Sequence, residues 1–136
     1  MSAALGLVSL IVQDYDEAID FYTKKVGFHL KQDETLSPTK RWVVINPSAT
    51  SPSGGLLFAK ADGPQQLNMV GNQGGGRVWL FLYAEDFWKT YNSMKANGVV
   101  FTEEPRNEVY GWVVVGKTCT ETVGTCSKRS YLDENK

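Results

Sequence analysis

Residues able to carry out acid–base, nucleophilic or metal chemistry are few in this sequence, and they are not grouped. The 136 residues include one histidine, His29, and two cysteines, Cys119 and Cys126. With a single histidine, no Ser-His-Asp or Cys-His set can be assembled. His29 stands just beyond a predicted helix, where we expect an ordinary edge or surface residue without metal-ligand partners. We therefore predict no catalytic residues.

A phosphate site is the other chemistry that the residue pattern suggests at first sight. Three consecutive glycines, Gly74, Gly75 and Gly76, could cradle a phosphate with their backbone amides. Phosphate loops open a helix whose N-terminus faces the anion, whereas these glycines precede a predicted strand. We interpret residues 62–76 as a flexible linker.

Composition excludes several classes of partner. The net charge of -1 gives no electrostatic case for nucleic acid or an anionic membrane surface. No apolar run approaches the roughly 18 residues that a membrane helix needs, and the apolar N-terminus lacks the basic leader of a signal peptide. We expect a soluble, cytoplasmic protein. Both cysteines lie in the tail, so no disulfide framework is indicated, and a local Cys119–Cys126 bridge stays open.

Two segments repeat the same plan of a strand followed by an amphipathic helix. Leu7 to Val12 alternates as a strand buried on both faces, and the helix DYDEAIDFYTKKVGF has capping aspartates at its start and Gly27 at its end. RVWLFLY, from Arg77, and EDFWKTYNSMKANG repeat the pattern about 70 residues later. Three strands are predicted after each helix, which gives modules at residues 5–61 and 77–116 of a single domain.

This plan resembles the vicinal oxygen chelate superfamily, which includes glyoxalase I, the bleomycin resistance proteins and the extradiol dioxygenases. The most specific element is the stretch from Asp14 to Phe28, and the resemblance covers about residues 5–115. It implies an α+β fold in which two βαβββ modules form an incomplete curled β-barrel that holds a ligand on its concave side. It also implies a homodimer.

The same resemblance implies where a metal would be held, and those positions carry no metal ligands. Metal-using members supply His, Gln or Glu from the first strand of each module and from the last strands. The matching first-strand positions here are Leu7 and Trp79, and the strand LLFAKA lacks a carboxylate or imidazole. Neither leucine nor tryptophan offers a lone pair to a cation. We predict no metal and no cofactor.

An aromatic slot is expected on the concave side instead, suited to a planar organic molecule. Core packing is the alternative role for such aromatic stripes. Arg41 and Trp42 are alternatives to each other, as are Tyr110 and Trp112. The predicted ligand-binding residues are Leu7, Ser9, Ile11, Arg41, Trp42, Phe58, Trp79, Phe81, Tyr83 and Trp112.

The tail at 117–136 departs from the resemblance, and the last strand of the second module is therefore altered. Relatives end in a Gly-Asn turn and a strand of the form W-x-L-x-E, but here the chain continues GKTCTETVGTCSKRS. Read one base out of register, with permitted codon choices, this segment gives KDLYGNRWDLLE. We hypothesise a frameshift near Val115 or Gly116. The threonine-rich stretch from Thr118 to Val123 is the expected replacement strand.

The predicted function is metal-independent binding of a small aromatic or apolar molecule. Two alternatives stay open: a metal-dependent glyoxalase-like lyase or dioxygenase that uses non-standard ligands, and a dimerising interaction module without a pocket. Metal analysis of the purified protein discriminates the first alternative, and the presence of a cavity discriminates the second.

Overall fold

The computed structural model describes residues 2–51 and 54–117, together with the backbone of residues 129–134. The chain divides into two compact units, Met1–Val70 and Gly71–Lys136. Each unit has its own four-stranded sheet.

The first unit follows the βαβββ plan. Its sheet has the order β1-β4-β3-β2, with β1 parallel to β4 and the other neighbours antiparallel. The unit's elements are β1 (Val8–Val12), α1 (Tyr15–Asp20), a π-helical continuation of α1 (Phe21–Val26), β2 (His29–Thr35), β3 (Arg41–Asn46), β4 (Leu56–Lys60) and α2 (Gly63–Met69).

The first helix begins and ends where the sequence pattern indicates. The Asp14 carboxylate accepts a hydrogen bond of 2.9 Å from the Glu17 amide, which satisfies one of the free N–H groups of the first turn. Gly27 adopts a φ of 100° after the π-helical segment, a conformation that costs glycine little. Tyr22 and Phe21 are buried on the inner side of this segment, so the helix covers one face of the first sheet.

The second unit repeats the topology of the first. Its sheet order is β5-β8-β7-β6, with the parallel pair again formed by the first and fourth strands. The elements are β5 (Val78–Ala84), α3 (Phe87–Ala96), β6 (Arg106–Glu108), β7 (Gly111–Lys117) and β8 (Arg129–Glu134). The α+β class and the arrangement in two βαβββ modules are confirmed.

The predicted linker at 62–76 is not irregular throughout, because its first half forms α2. Pro64 occupies the first turn of this helix, where its missing N–H has no intrahelical acceptor to lose. The helix lies against β1. The sequence pattern did not predict α2, because none of its residues is buried and the helix therefore has no apolar face.

The second module differs from the expected strand positions in two places. Residues 99–103 make only one isolated bridge, Phe101 to Gly116, and regular pairing begins later, at Arg106. The fourth strand is Arg129–Glu134, which lies between β5 and β7. The stretch from Thr118 to Val123, where that strand was expected, lies outside the described residues.

Within the described part of the chain, no helix has the length and apolar character to cross a membrane.

Candidate ligand-binding site

The two faces of the first sheet differ in what covers them. Phe58 in β4 is in register with Leu10 and Val43 on its two neighbouring strands, so these three side chains share a face. The Phe58 ring lies 5.5 Å from the ring of Tyr22, between centroids, and is 1% exposed. This face is therefore the one that the helix covers.

Three of the predicted site residues share the opposite face of this sheet. Ser9 and Ile11 are in register with Leu57 and Ala59, which alternate with Phe58 along β4. Trp42 precedes Val43 and points with them, and its indole N–H donates a 3.1 Å hydrogen bond to Gln32 Oε1. Leu7 stands immediately before β1 and is 37% exposed.

Two predicted site residues, Phe58 and Arg41, lie on the helix face instead. Phe58 was expected on the concave side, but its partner is Tyr22 in the core. Arg41 donates hydrogen bonds to Asp33 and to Asp16, and its guanidinium carbon lies 5.3 Å from the ring centroid of Tyr15. The bond to Asp33, the bond to Asp16 and their charges raise the pKa of Arg41 above its ordinary value.

A cleft opens where β3 and β4 separate. Among the described residues, the register between these strands ends at the pair Val43–Phe58. Beyond it, β3 continues beside β2 to Arg41, and β4 continues beside β1 to Lys60. The Arg41 amide donates to the Tyr15 hydroxyl at 3.2 Å, so a side chain from α1 satisfies a group that an unbroken sheet would have paired.

The cleft has a volume of about 620 Å³, which is within the range of small-molecule sites. Its walls combine aromatic and aliphatic side chains with several charged groups at the rim. The lining residues are Tyr15, Thr39, Lys40, Arg41, Trp42, Leu57, Phe58, Ala59, Lys60, Ala61, Asp62 and Gln66. Three predicted site residues, Arg41, Trp42 and Phe58, thus meet at one cavity although they occupy both faces of the sheet.

The second sheet also has one face covered by its helix. Trp112 lies on that face, with its ring centroid 5.0 Å from Trp88 and 6.4 Å from Phe87. We expected Trp112 on the ligand side. Successive side chains of β7 point to opposite faces of the sheet, and Trp112 is on the face that contacts α3.

Phe81 and Tyr83 lie on the other face of β5. They are 58% and 61% exposed. Trp79 stands at a register shift between Val78 and Leu80, where strict alternation fails. A Cβ added to Gly74 would lie 3.2 Å from the Trp79 Cβ, so this tryptophan packs against the glycine-rich segment.

The side chains that the structure describes do not fit a metal centre. Among them, no three His, Cys, Asp or Glu residues come together. The side chains of Leu7 and Trp79 have no lone pair with which to bind a metal ion, and His29 is exposed on the edge strand β2.

The sequence did not identify nine of the twelve cleft residues, among them Tyr15, Lys60, Asp62 and Gln66. Tyr15 was a helix residue without assigned function, and the others belong to the end of β4 and to α2. A signal was available for Gln66, because the order Asp62, Pro64, Gln66 is typical of a helix start. The Asp62 amide donates to Gln66 Oε1 at 2.9 Å.

Comparison with known proteins gives a consistent family. Residues 4–116 match the model of the glyoxalase/bleomycin resistance protein/dioxygenase superfamily. An uncharacterized protein of Shewanella frigidimarina (strain NCIMB 400) is 44% identical over 116 residues, which are 85% of each chain. Residues after Gly116 fall outside the family match, as they fell outside the resemblance in the sequence.

Solved structures share the fold over nearly the whole chain. The crystal structure of UcmS2 is 25% identical with a TM-score of 0.80, and 98% of each chain is covered. TnmS3, an antibiotic binding protein from Streptomyces sp. CB03234, is 20% identical with a TM-score of 0.71, and covers 100% of this chain and 99% of its own.

Proposed function

The chain belongs to the glyoxalase/bleomycin resistance protein/dioxygenase superfamily, and from this premise we propose that it binds a small, largely apolar or aromatic molecule without a metal. The observation that carries the proposal is the 620 Å³ cleft beside Trp42. TnmS3, which shares the fold, is an antibiotic binding protein, which supports an organic ligand for this chain.

The sheet faces opposite the helices carry side chains that suit such a ligand. Ser9, Ile11 and Trp42 share the face of the first sheet opposite its helix, and Phe81 and Tyr83 share the face of the second sheet opposite α3. Aromatic rings bury large apolar area and stack on planar molecules, while hydroxyl groups provide polar contacts. We propose Trp42 as the ligand contact in the cleft, and Ser9 and Ile11, on the same face of that sheet, as further contacts.

The composition of the described site supports binding without a metal. The described residues provide no cluster of three potential metal ligands, and the family's first-strand ligand positions hold Leu7 and Trp79. The cleft residues can bind and orient a ligand, and no pair among them forms a nucleophile with its base.

Fluorescence titration tests the proposal directly. Planar aromatic compounds, screened against the protein purified without chelator, should quench tryptophan fluorescence at high micromolar concentration or below, before and after dialysis against EDTA. Absence of quenching by every compound contradicts the proposal. A stoichiometric divalent ion, lost together with binding on chelation, would favour the metal-dependent enzyme instead.

A matched pair of variants locates the binding. Trp42→Leu should weaken binding at least about tenfold when measured by calorimetry, because it removes the ring beside the cleft. Trp88→Leu should leave the affinity unchanged, because Trp88 lies on the helix side of the second unit, beside Trp112. Equal affinities in the two variants would place the ligand elsewhere.

We further propose that the protein is a homodimer, as the family resemblance implies. The strands β1 and β5 are sheet edges within their units, and the exposed Phe81 and Tyr83 lie on β5. Exposed apolar edges favour pairing with another chain. Light scattering after gel filtration should give twice the chain mass of 15.1 kDa, whereas a monomer at micromolar concentration contradicts the proposal.

A further inference from the structure

In the described part of the first sheet, Trp42 pairs with a neighbouring strand on one side only. The register between β3 and β4 ends at the pair Val43–Phe58, so that the next residue of β3 towards the cleft, Trp42, has no partner in β4. On its other side Trp42 is opposite Glu34 in the edge strand β2. At this position β2 is therefore the strand whose side chains can direct the indole ring at the cleft.

Gln32 is the residue of β2 that contacts the indole. It is opposite Val44, which is two residues from Trp42 and therefore on the same face of β3. Diagonal neighbours of this kind are within reach of long side chains. The Trp42 indole N–H donates a hydrogen bond of 3.1 Å to Gln32 Oε1. This bond uses the one polar atom of the indole, and it connects a ring that lines the cleft to a residue outside the lining.

A register shift in β2 places Gln32 on the same face as Trp42. Leu30 and Gln32 are two residues apart, and strict alternation would put both side chains on one face. The register shifts between them, so that Leu30 is opposite Ile45 whereas Gln32 is opposite Val44. Because Ile45 and Val44 are consecutive residues of β3, Leu30 and Gln32 lie on opposite faces of the sheet.

Lys31, the extra residue at this shift, is itself held in place. Its ammonium group donates hydrogen bonds to the carbonyl oxygens of Ala49, at 2.8 Å, and Ser51, at 3.2 Å, both in the loop that follows β3. Bulges of this kind redirect a side chain and are common beside functional sites. The two hydrogen bonds of Lys31 therefore stabilise the shift that brings Gln32 to Trp42.

We propose that Gln32 is a positioning residue for ligand binding, which holds the Trp42 indole in the orientation that an aromatic ligand contacts. The inference rests on the proposed function and adds to it a residue that does not line the cleft. A ring that is already oriented loses less side-chain entropy when the ligand arrives. Without the hydrogen bond, the ring spends less time in the binding orientation, and the apparent affinity falls by that fraction.

Two substitutions of Gln32 separate the hydrogen bond from the size of the side chain. Gln32→Met keeps the length but replaces the amide by a weakly accepting thioether, whereas Gln32→Glu keeps an oxygen that accepts from the indole N–H. The probe is N-phenyl-1-naphthylamine, a neutral aromatic dye that fluoresces in apolar sites. We expect Gln32→Met to weaken dye binding at least about threefold, and Gln32→Glu to stay within about twofold of the original chain. Equal affinity of Gln32→Met and the original chain would overturn the proposal.

A double-mutant cycle distinguishes positioning from direct contact with the ligand. Trp42→Phe keeps an aromatic ring but has no N–H to donate, so Gln32→Met should change the dye affinity by less than about 1.5-fold in this background. A loss as large as in the original chain would mean that Gln32 contacts the dye itself, which overturns the positioning role. Asn92→Met removes an exposed amide from α3 and should leave the affinity unchanged. Circular dichroism confirms that each variant is folded.

Nuclear magnetic resonance measures the hydrogen bond itself without a ligand. The four tryptophans give four indole N–H signals in a nitrogen-15 correlation spectrum, and the signal that Trp42→Phe removes belongs to Trp42. Gln32→Met should speed the exchange of this proton with solvent, because the proton loses its acceptor, whereas Asn92→Met should not. An exchange rate that Gln32→Met leaves unchanged would overturn the proposal.

The outcomes separate this inference from the proposed function. If the dye binds and Trp42→Leu weakens it, but Gln32→Met does not, the binding function stands and the positioning role of Gln32 is wrong. If the dye does not bind and no aromatic compound quenches the tryptophans, both proposals fail.

Discussion

Arg41 holds the carboxylate of Asp33 by two hydrogen bonds, from Nε to Oδ1 at 3.1 Å and from Nη2 to Oδ2 at 2.7 Å. Such a bidentate pair fixes both side chains in direction as well as in distance. Arg41 Nη1 also donates a hydrogen bond to Asp16 in α1. One arginine therefore connects strands β2 and β3 to the helix that covers the sheet. Both members of the pair are less than one-third exposed.

A double-mutant cycle on Arg41→Met and Asp33→Asn should therefore give a favourable coupling free energy of about 1 kcal/mol, measured by urea unfolding. The exposed pair Lys24–Asp20, one helical turn apart, is the control and should give less than about 0.5 kcal/mol. Coupling no larger than that of the control would mean that the pair is a surface contact only.

The pH dependence of this coupling follows from the raised pKa of Arg41. A cation whose pKa is higher in the folded state contributes its full stability below the unfolded-state pKa, and loses it only as the pH rises through the folded-state pKa. Arginine titrates in strong alkali even when unfolded. The coupling measured at about pH 6 should equal that at about pH 9, and a fall over this interval would contradict the assignment.

Arg41 and Phe58 show which part of the site the sequence could predict. The strands RWVVIN and LLFAKA, and their place in the first module, follow from pattern. The face to which each residue points depends on the register between strands, which a short apolar run does not determine. Trp42, Ser9 and Ile11 lie on the face opposite the helix, whereas Phe58 and Arg41, the alternative to Trp42, lie on the helix face.

Phe58 and Phe81 give a second prediction, because both were expected to touch a ligand but differ in burial. Phe58→Ala should lower the free energy of unfolding by about 3 to 5 kcal/mol, since it leaves a cavity under Tyr22. Phe81→Ala should change it by about 0.5 kcal/mol or less, since the side chain is 58% exposed. Thermal and urea unfolding measure both, and comparable losses would contradict the burial difference.

Two glycines give a third prediction, which separates backbone conformation from steric contact. Gly55 has a φ of +117°, and an added Cβ would meet the Ile45 carbonyl oxygen at 2.5 Å. Gly75 has a φ of +62°, with nothing within 4 Å of an added Cβ. Gly55→Ala should cost at least about 1 kcal/mol more stability than Gly75→Ala, because backbone must also move. Equal losses would mean that φ alone decides the cost.

The elements that the sequence missed share a physical cause. Helix α2 has no buried side chain, and β6 is three residues long, so neither produces an apolar period. Ion pairing marks β6, because Arg106 bonds to Glu108 within the strand and to Glu103 before it at 2.7 Å. Helix α1 with its π-helical continuation, and α3, were predictable because they bury a stripe of aromatic residues.

The end of the chain gives the last prediction. The strand β8, Arg129–Glu134, is interior to the second sheet, where it pairs with β5 along its whole length and with β7 from Arg129 to Asp133. A sequence with few apolar residues destabilises an interior strand more than an edge strand, because an interior strand packs against two neighbouring strands. The hypothesised reading-frame shift would have replaced a strand of the form W-x-L-x-E. Burial of its tryptophan and leucine side chains would each stabilise the fold by about 1.5 to 3 kcal/mol.

Restoring the frame near Gly116, so that the chain ends in KDLYGNRWDLLE, should therefore raise the free energy of unfolding by about 2 kcal/mol or more. Thermal unfolding of the two chains side by side measures the difference. A substitution of Leu5 by proline, before β1 and 79% exposed, serves as a change that should leave both chains unaffected. A restored chain no more stable than the present one would show that the present tail completes the second sheet equally well. Sequencing the gene tests the frameshift independently. The frameshift is excluded if no single-base slip gives the restored ending.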